Sequence, residues 1–158
     1  QVILLAFIIL GIYILINIVL LHGTKKARKG KKTVTIKIMS LISIIMFILS
    51  LLILLFGCMS YLHHKNMLNL IISIIYLFIL IFISYKLSCF YITEDTIIYG
   101  YNCYNFKDIQ KIEIEKVKNK FTITIYIKGA NTLYFKLDYL KKKKLLNALH
   151  GKVLCINL

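Results

Sequence analysis

Residues 2–21, 38–58 and 67–85 form three runs, of 20, 21 and 19 residues, that contain no Asp, Glu, Lys, Arg or His. At a helical rise of about 1.5 Å per residue, a hydrocarbon core about 30 Å thick takes about 20 residues to cross. Each run therefore predicts a transmembrane helix. Composition agrees, because 59% hydrophobic residues, a mean hydropathy of +0.80 and the absence of Pro and Trp lie outside the range of soluble globular domains. The first run lacks a basic stretch before it and an A-x-A-like cleavage site after it, so it reads as a retained helix and not as a signal peptide.

Charge predicts which way these helices run. The chain has 21 basic and 6 acidic residues, and every acidic residue lies at or after Glu94. Between the first two runs stand Lys25, Lys26, Arg28, Lys29, Lys31, Lys32 and Lys37; between the second and third stand only Lys65, His63 and His64. Lys and Arg near span ends are retained on the cytoplasmic side. Segment 22–37 is thus expected to be a cytoplasmic loop, with the N-terminus and a His63-His64 turn outside. Everything after Lys86, with its twelve lysines, is then cytoplasmic. Residues 1–88 form the expected transmembrane domain of a multi-pass cell-membrane protein, and residues 89–158 a cytoplasmic one.

Transporters and pumps keep ionisable groups at membrane depth, and these runs have none. They carry small or weakly polar stripes instead: Ala6, Tyr13 and Asn17; Ser43, Ser50 and Gly57; Asn69, Ser73 and Tyr76. Each set recurs at about helical spacing and shares a face. Small residues allow close approach, and Ser or Asn can bond across an interface, so Asn17, Ser43, Ser50, Gly57, Asn69 and Ser73 are the candidate helix-packing residues. Three helices make a thin bundle, which leads us to expect a further copy of the chain or a membrane partner protein against it.

After Cys89 the period changes to two. Phe121, Ile123, Ile125 and Ile127 alternate with Thr122, Thr124, Tyr126 and Lys128, and Leu133, Phe135 and Leu137 continue the pattern after Gly129-Ala130-Asn131. These are the marks of a hairpin. Ile112 and Ile114 predict a third strand ending at a turn near Asn119, and residues 90–93 and 97–101 flank a turn at Glu94-Asp95. Five or six antiparallel strands follow in succession. Asp138 then caps a helix in which Leu145, Leu146, Leu149 and Tyr139 form the apolar face, and Gly151 ends it. Residues 152–158 either add a short strand or fray. The result is three membrane helices plus an α+β module.

The stretch YITEDTIIYGYNCYNFKDIQKIEI resembles the opening of bacterial PH-like domains: strand, turn at Glu94-Asp95, second strand near Gly100, then an aromatic-x-Asp-Ile step at Phe106, Asp108 and Ile109. The hairpin and helix continue the same order over about 70 residues. Phe106 stands where that family often has Trp, and Thr96 where it often has Gly. The resemblance implies an antiparallel β half-barrel capped by one helix, used for binding or assembly and not for catalysis. Similar modules occur in small membrane proteins that protect bacteria against membrane-active peptide bacteriocins, so immunity or resistance is the alternative to a scaffold or accessory subunit.

The remaining motifs point the same way. Cys58, Cys89, Cys103 and Cys155 occur singly and read as small buried residues. His63 and His64 lack a third ligand type nearby. Asp108 reads as a turn residue, and Glu113 and Glu115 as members of a solvated ion-pair face with Lys111, Lys116 and Lys118. There is no P-loop, dinucleotide fingerprint, HExxH or GxSxG, so we expect no enzyme, cofactor or metal. The basic loop lacks the aromatic platforms of a nucleic-acid site. Anionic headgroups are its expected partner, at about 1 kcal/mol per cation, and Lys141, Lys142, Lys143 and Lys144 are candidates for the same contact. On this reading a cysteine placed in segment 22–37 resists a membrane-impermeant thiol reagent added to intact cells and reacts after permeabilisation. Labelling from outside would invert the topology.

Overall fold

A computed structural model describes residues 2–38, 40–129 and 132–157. The chain divides into two compact units, Gln1–Gly23 with Met39–Ser88, and Thr24–Ile38 with Cys89–Leu158. Three helices run through the first unit: α1 (Val2–Arg28), α2 (Leu41–His64) and α3 (Met67–Leu87). All three are long and apolar enough to cross a membrane.

Their ends differ from the sequence expectation for local reasons. α1 does not stop at Leu21 but continues through Lys25, Lys26 and Ala27, all good helix formers, until Gly30 adopts φ 79°. α2 starts at Leu41 because Ser40 caps it, its hydroxyl accepting the Ser43 amide at 3.1 Å. The expected His63-His64 turn is instead the last turn of α2. Lys65, at φ 50°, donates its amide to the Tyr61 carbonyl at 2.8 Å, and Asn66 caps α3 by accepting from the amides of Leu68 and Asn69. Asn caps a helix far better than His, and this moves the turn by two residues.

Close packing among these helices uses some of the expected residues in unexpected ways. Gly57 faces Ser73 so tightly that a Cβ added there would collide with the Ser73 side chain. Asn69 reaches across to Ser60 Oγ at 2.9 Å, and Ser84 donates to the Ser43 carbonyl at 2.7 Å. The hydroxyls of Ser43, Ser50 and Ser73 bond back to carbonyls of Ser40, Phe47 and Asn69 at 2.8, 2.6 and 2.8 Å, and Asn17 donates to Tyr13 O at 2.7 Å. A hydroxyl that bonds three or four residues back is satisfied without a partner helix, so what these serines contribute to packing is small size. Ala6 is exposed, and Phe7 takes its place at the interface, its ring 6.1 Å from Phe56 and 5.9 Å from Tyr76. Tyr13 reaches Met46 Sδ at 3.7 Å, and the Tyr76 hydroxyl donates to Phe7 O at 3.1 Å. Most of the large apolar side chains of all three helices remain exposed.

The segment 22–37 was expected to be a loop of the helical domain, yet from Thr24 to Ile38 the chain belongs to the sheet unit. The reason lies in its second half, where β1 (Val34–Lys37) alternates apolar and polar residues and pairs antiparallel with β2 (Cys89–Ile92), Ile36 opposite Phe90. β3 (Thr96–Tyr99) and β4 (Asn102–Asn105) complete a four-stranded sheet in the order β1-β2-β3-β4. A single 3-10 turn at Phe106–Asp108 leads to β5 (Ile109–Val117), which pairs with β6 (Lys120–Ile127) after a register shift between Ile109 and Lys111. β7 (Leu133–Leu137), α4 (Tyr139–Leu149) and β8 (Cys155–Asn157) follow, giving a second sheet in the order β7-β6-β5-β8. The expected turn residues Ala130 and Asn131 lie outside the described residues.

Two four-stranded sheets thus stand where one half-barrel of five or six strands was expected, and β8 runs parallel to β5 instead of extending the antiparallel series. Their facing sides form one core, with Ile36, Phe90, Ile92 and Ile97 from the first sheet and Ile112, Ile114, Ile123, Ile125 and Phe135 from the second. The rings of Phe90 and Phe135 lie 5.2 Å apart. α4 closes this core with Leu145 and Leu149, both fully buried, while Tyr139, expected on the same face, is 63% exposed. Six residues before Leu145, it lies about 120° round the helix from that side chain and about 80° from Leu149.

The Gly57 contact generates a test. Gly57→Ala alone is expected to destabilise the helical unit by about 1–3 kcal/mol through overpacking, and Ser73→Gly in the same chain should restore most of it. Thermal unfolding in detergent measures both; an unaltered midpoint in the single variant would mean that the two helices are not in contact there.

Candidate functional site

Two basic segments 109 residues apart in sequence meet in the sheet unit, where Lys144 Nζ donates to the Thr35 carbonyl at 2.8 Å. The first is built on the end of α1. Arg28 Nε donates to Thr24 O at 3.3 Å, and its guanidinium lies 3.7 Å from the centre of the Tyr91 ring. Such a stack contributes about 0.5–2 kcal/mol, depending on desolvation. β2 is buried on both faces, so Cys89, Tyr91 and the β3 residue Ile98 form a small second core, against which Ala27 packs. Burial pushes the Tyr91 hydroxyl above the usual tyrosine range, Cys89 adds to this, and Arg28 opposes it.

Gly30 then turns the chain and Lys31 reaches Asp95, its ammonium 2.9 and 2.8 Å from the two carboxylate oxygens. Asp95 also accepts from the Thr93 hydroxyl at 3.0 Å, which itself lies 2.7 Å from that of Thr96. Lys31 above all, and Thr93 after it, hold the Asp95 carboxyl below the usual aspartate range. Of the seven expected lipid-contact residues here, Arg28 and Lys31 are therefore committed to holding the segment on the sheet. Lys25, Lys26, Lys29, Lys32 and Lys37 are exposed.

α4 carries the second segment. Asp138 caps it, accepting the Lys141 amide at 2.8 Å, and the Lys141 ammonium lies 3.7 Å from the same carboxylate. Lys142 is placed 4.0 Å above the Phe121 ring. Lys143 and Lys144 are exposed. The four consecutive lysines thus divide by helical direction, two lying over the flanks of the unit and two facing out.

On the second sheet one charge cluster is locked and not poised. Lys111 pairs with Glu113 at 2.6 Å, and Tyr126 donates to the same carboxylate at 2.9 Å. Lys111 first, then Tyr126, lower the affinity of Glu113 for a proton, and Glu113 raises that of both partners. Glu115 is exposed, outside this cluster. Asp108 contributes its carbonyl to the Lys128 amide at 2.7 Å, in keeping with a turn role. Among the described residues no group of three His, Cys, Asp or Glu could hold a metal ion.

Sequence reasoning reads Asp95 only as a turn residue and gives Tyr91 no role, so neither is identified there as holding the basic segment down. The signal was in the segment itself, since Val34, Ile36 and Ile38 alternate with Thr33, Thr35 and Lys37, a two-residue period that calls for a strand partner. Comparison with protein-family models, curated proteins and solved structures gives no significant match.

Because the folded-state pKa of Asp95 is depressed, its contribution is complete above the ordinary value of about 4 and is lost as pH falls through the lower folded value. Asp95→Asn is expected to reduce amide-exchange protection of β1 at neutral pH. That difference from the parent chain should vanish under more acidic conditions, and a difference independent of pH would assign the effect to something other than the ion pair.

Proposed function

We propose that this protein is a non-catalytic bacterial membrane scaffold or accessory subunit, in which three transmembrane helices hold a PH-like module at the inner leaflet of the cell membrane. The N-terminus lies outside and the sheet unit in the cytoplasm. The antiparallel runs β2-β3-β4 and β5-β6-β7, sharing one core closed by α4, support the PH-like reading. The β1–β2 ladder supports the topology: these strands flank the α2–α3 hairpin and pair with each other, so the hairpin returns to the side it leaves.

The observation that carries the proposal is the charge of the sheet unit. It holds nineteen of the 21 basic residues and all six acidic ones, and five of its exposed cations follow directly on the first apolar run. Such a body is attracted to an anionic leaflet and needs no nucleic acid to explain its charge. The large exposed apolar surface of the helices is the place for lipid tails and for a second copy or a membrane partner.

Purification of the whole chain in mild detergent, with mass spectrometry of what accompanies it, tests this. Anionic lipids are expected in excess over their share of the membrane, together with a stoichiometric protein partner or a second copy. Recovery from the soluble fraction after alkaline extraction, or with nucleic acid as the main companion, would overturn the proposal.

A further inference from the structure

α4 presents an outer face that its packing role does not use. Leu145 and Leu149 define the buried side. At about 100° per residue, Leu140 points within about 20° of the opposite direction, with Lys143 and Lys144 about 40° and 60° to either side. Leu140 is 76% exposed and its neighbour Tyr139 63%. A large apolar side chain at the centre of the solvent face, bracketed by two exposed cations, is the pattern of a helix that lies in a lipid interface. It has no packing explanation in the sheet unit.

The cations are arranged for anions. Lys144 spends one of its three N–H donors on the Thr35 carbonyl, which fixes its ammonium beside β1 while leaving two donors free to turn outward. Lys143 is exposed, and Asp138 sits at the start of the helix, where it holds the Lys141 amide. Lys142 is drawn away over Phe121. Exposed Thr35 and Lys37 continue the surface along β1 without introducing an acid.

We propose that this face is a second, reversible membrane-contact site, separate from the three long helices, in which Leu140 enters the interfacial layer and Lys143 and Lys144 hold lipid phosphates of an anionic leaflet. Charge complementarity selects the occupant: the exposed cations of the face have no acidic side chain between them, and an apolar tip is accommodated by lipid but not by a free phosphate. The inference rests on the membrane-anchored reading above, and makes α4 a sensor of the anionic lipid content around the protein.

The chain contains no Trp, so Leu140→Trp reports this position alone. The whole protein is placed in nanodiscs of neutral lipid, or of neutral lipid mixed with phosphatidylglycerol, with bromine on the acyl chains as the quencher. Tyr134→Trp, on the exposed side of β7, serves as the control. The expected result is a blue-shifted emission for Leu140→Trp that bromine quenches only in the anionic discs and that salt reverses, with no quenching at position 134. Lys143→Gln with Lys144→Gln in the same chain should lower the bound-to-unbound ratio about thirtyfold. A water-like, unquenched tryptophan overturns the site, as does a blue shift without bromine quenching, which would indicate a protein covering. Quenching equal in neutral and anionic discs overturns the role of the lysines. Co-migration with the discs reads the anchoring separately: its loss overturns both proposals, whereas co-migration with an unquenched tryptophan overturns the α4 site alone.

Discussion

The pairing of β1 with β2 is the interaction on which the rest of the molecule depends. In sequence these strands are separated by the whole of α2 and α3, yet Val34 to Lys37 run alongside Ile92 to Cys89 in an uninterrupted antiparallel ladder. An edge strand that joins a sheet buries its apolar side chains and pairs the backbone groups on its inner side at once. Here that requirement draws the segment after α1 away from any independent existence. The basic stretch is consequently a structural part of the sheet unit, with a helical turn on one face of the first sheet and a strand at its edge.

The same requirement explains how the charges are distributed. A segment with seven cations and no acid would repel itself if it were packed uniformly. It is tied down at two points, by Arg28 on the Tyr91 ring and Lys31 on Asp95, while the remaining lysines stay at the surface. α4 follows the same economy, with Lys142 over an aromatic ring and Lys144 on a backbone carbonyl. Cation–π contacts and carbonyl acceptors substitute for carboxylates in a chain that has very few of them.

Much of this was legible in the sequence wherever one period dominated. Uncharged runs of about 20 residues admit few forms other than long helices, and the alternation from Phe121 to Ile127 could only be a strand. Asp138 announced the start of α4. What escaped was decided by tertiary context. The run from Val34 to Ile38 is short and sits beside so many lysines that charge masks its alternation. β4, Asn102–Asn105, has little apolar content and takes its form from its neighbour β3. The parallel addition of β8 depends on a return of the chain that no local pattern encodes. In the candidate site the cations were all visible, but which of them are consumed internally followed from Tyr91, Asp95, Phe121 and Thr35, whose sequence surroundings mark strands and a turn but not these partners. In the helices, the stripe positions Gly57 and Asn69 make contacts across the bundle, whereas the hydroxyls of Ser50 and Ser73 turn inward on their own turns.

The placement of a helical hairpin between two paired strands also sets an order of events for synthesis. β1 leaves the ribosome well before β2, and its partner edge does not exist until α2 and α3 have been made. Loop-closure entropy grows only slowly with length, so an inserted hairpin that brings its two ends together lowers the cost of the long-range pairing that otherwise makes such sheets slow to form. Formation of the hairpin and completion of the first sheet are then successive stages of one process, and a nascent chain whose hairpin failed to form would carry an open, apolar strand edge until it was cleared.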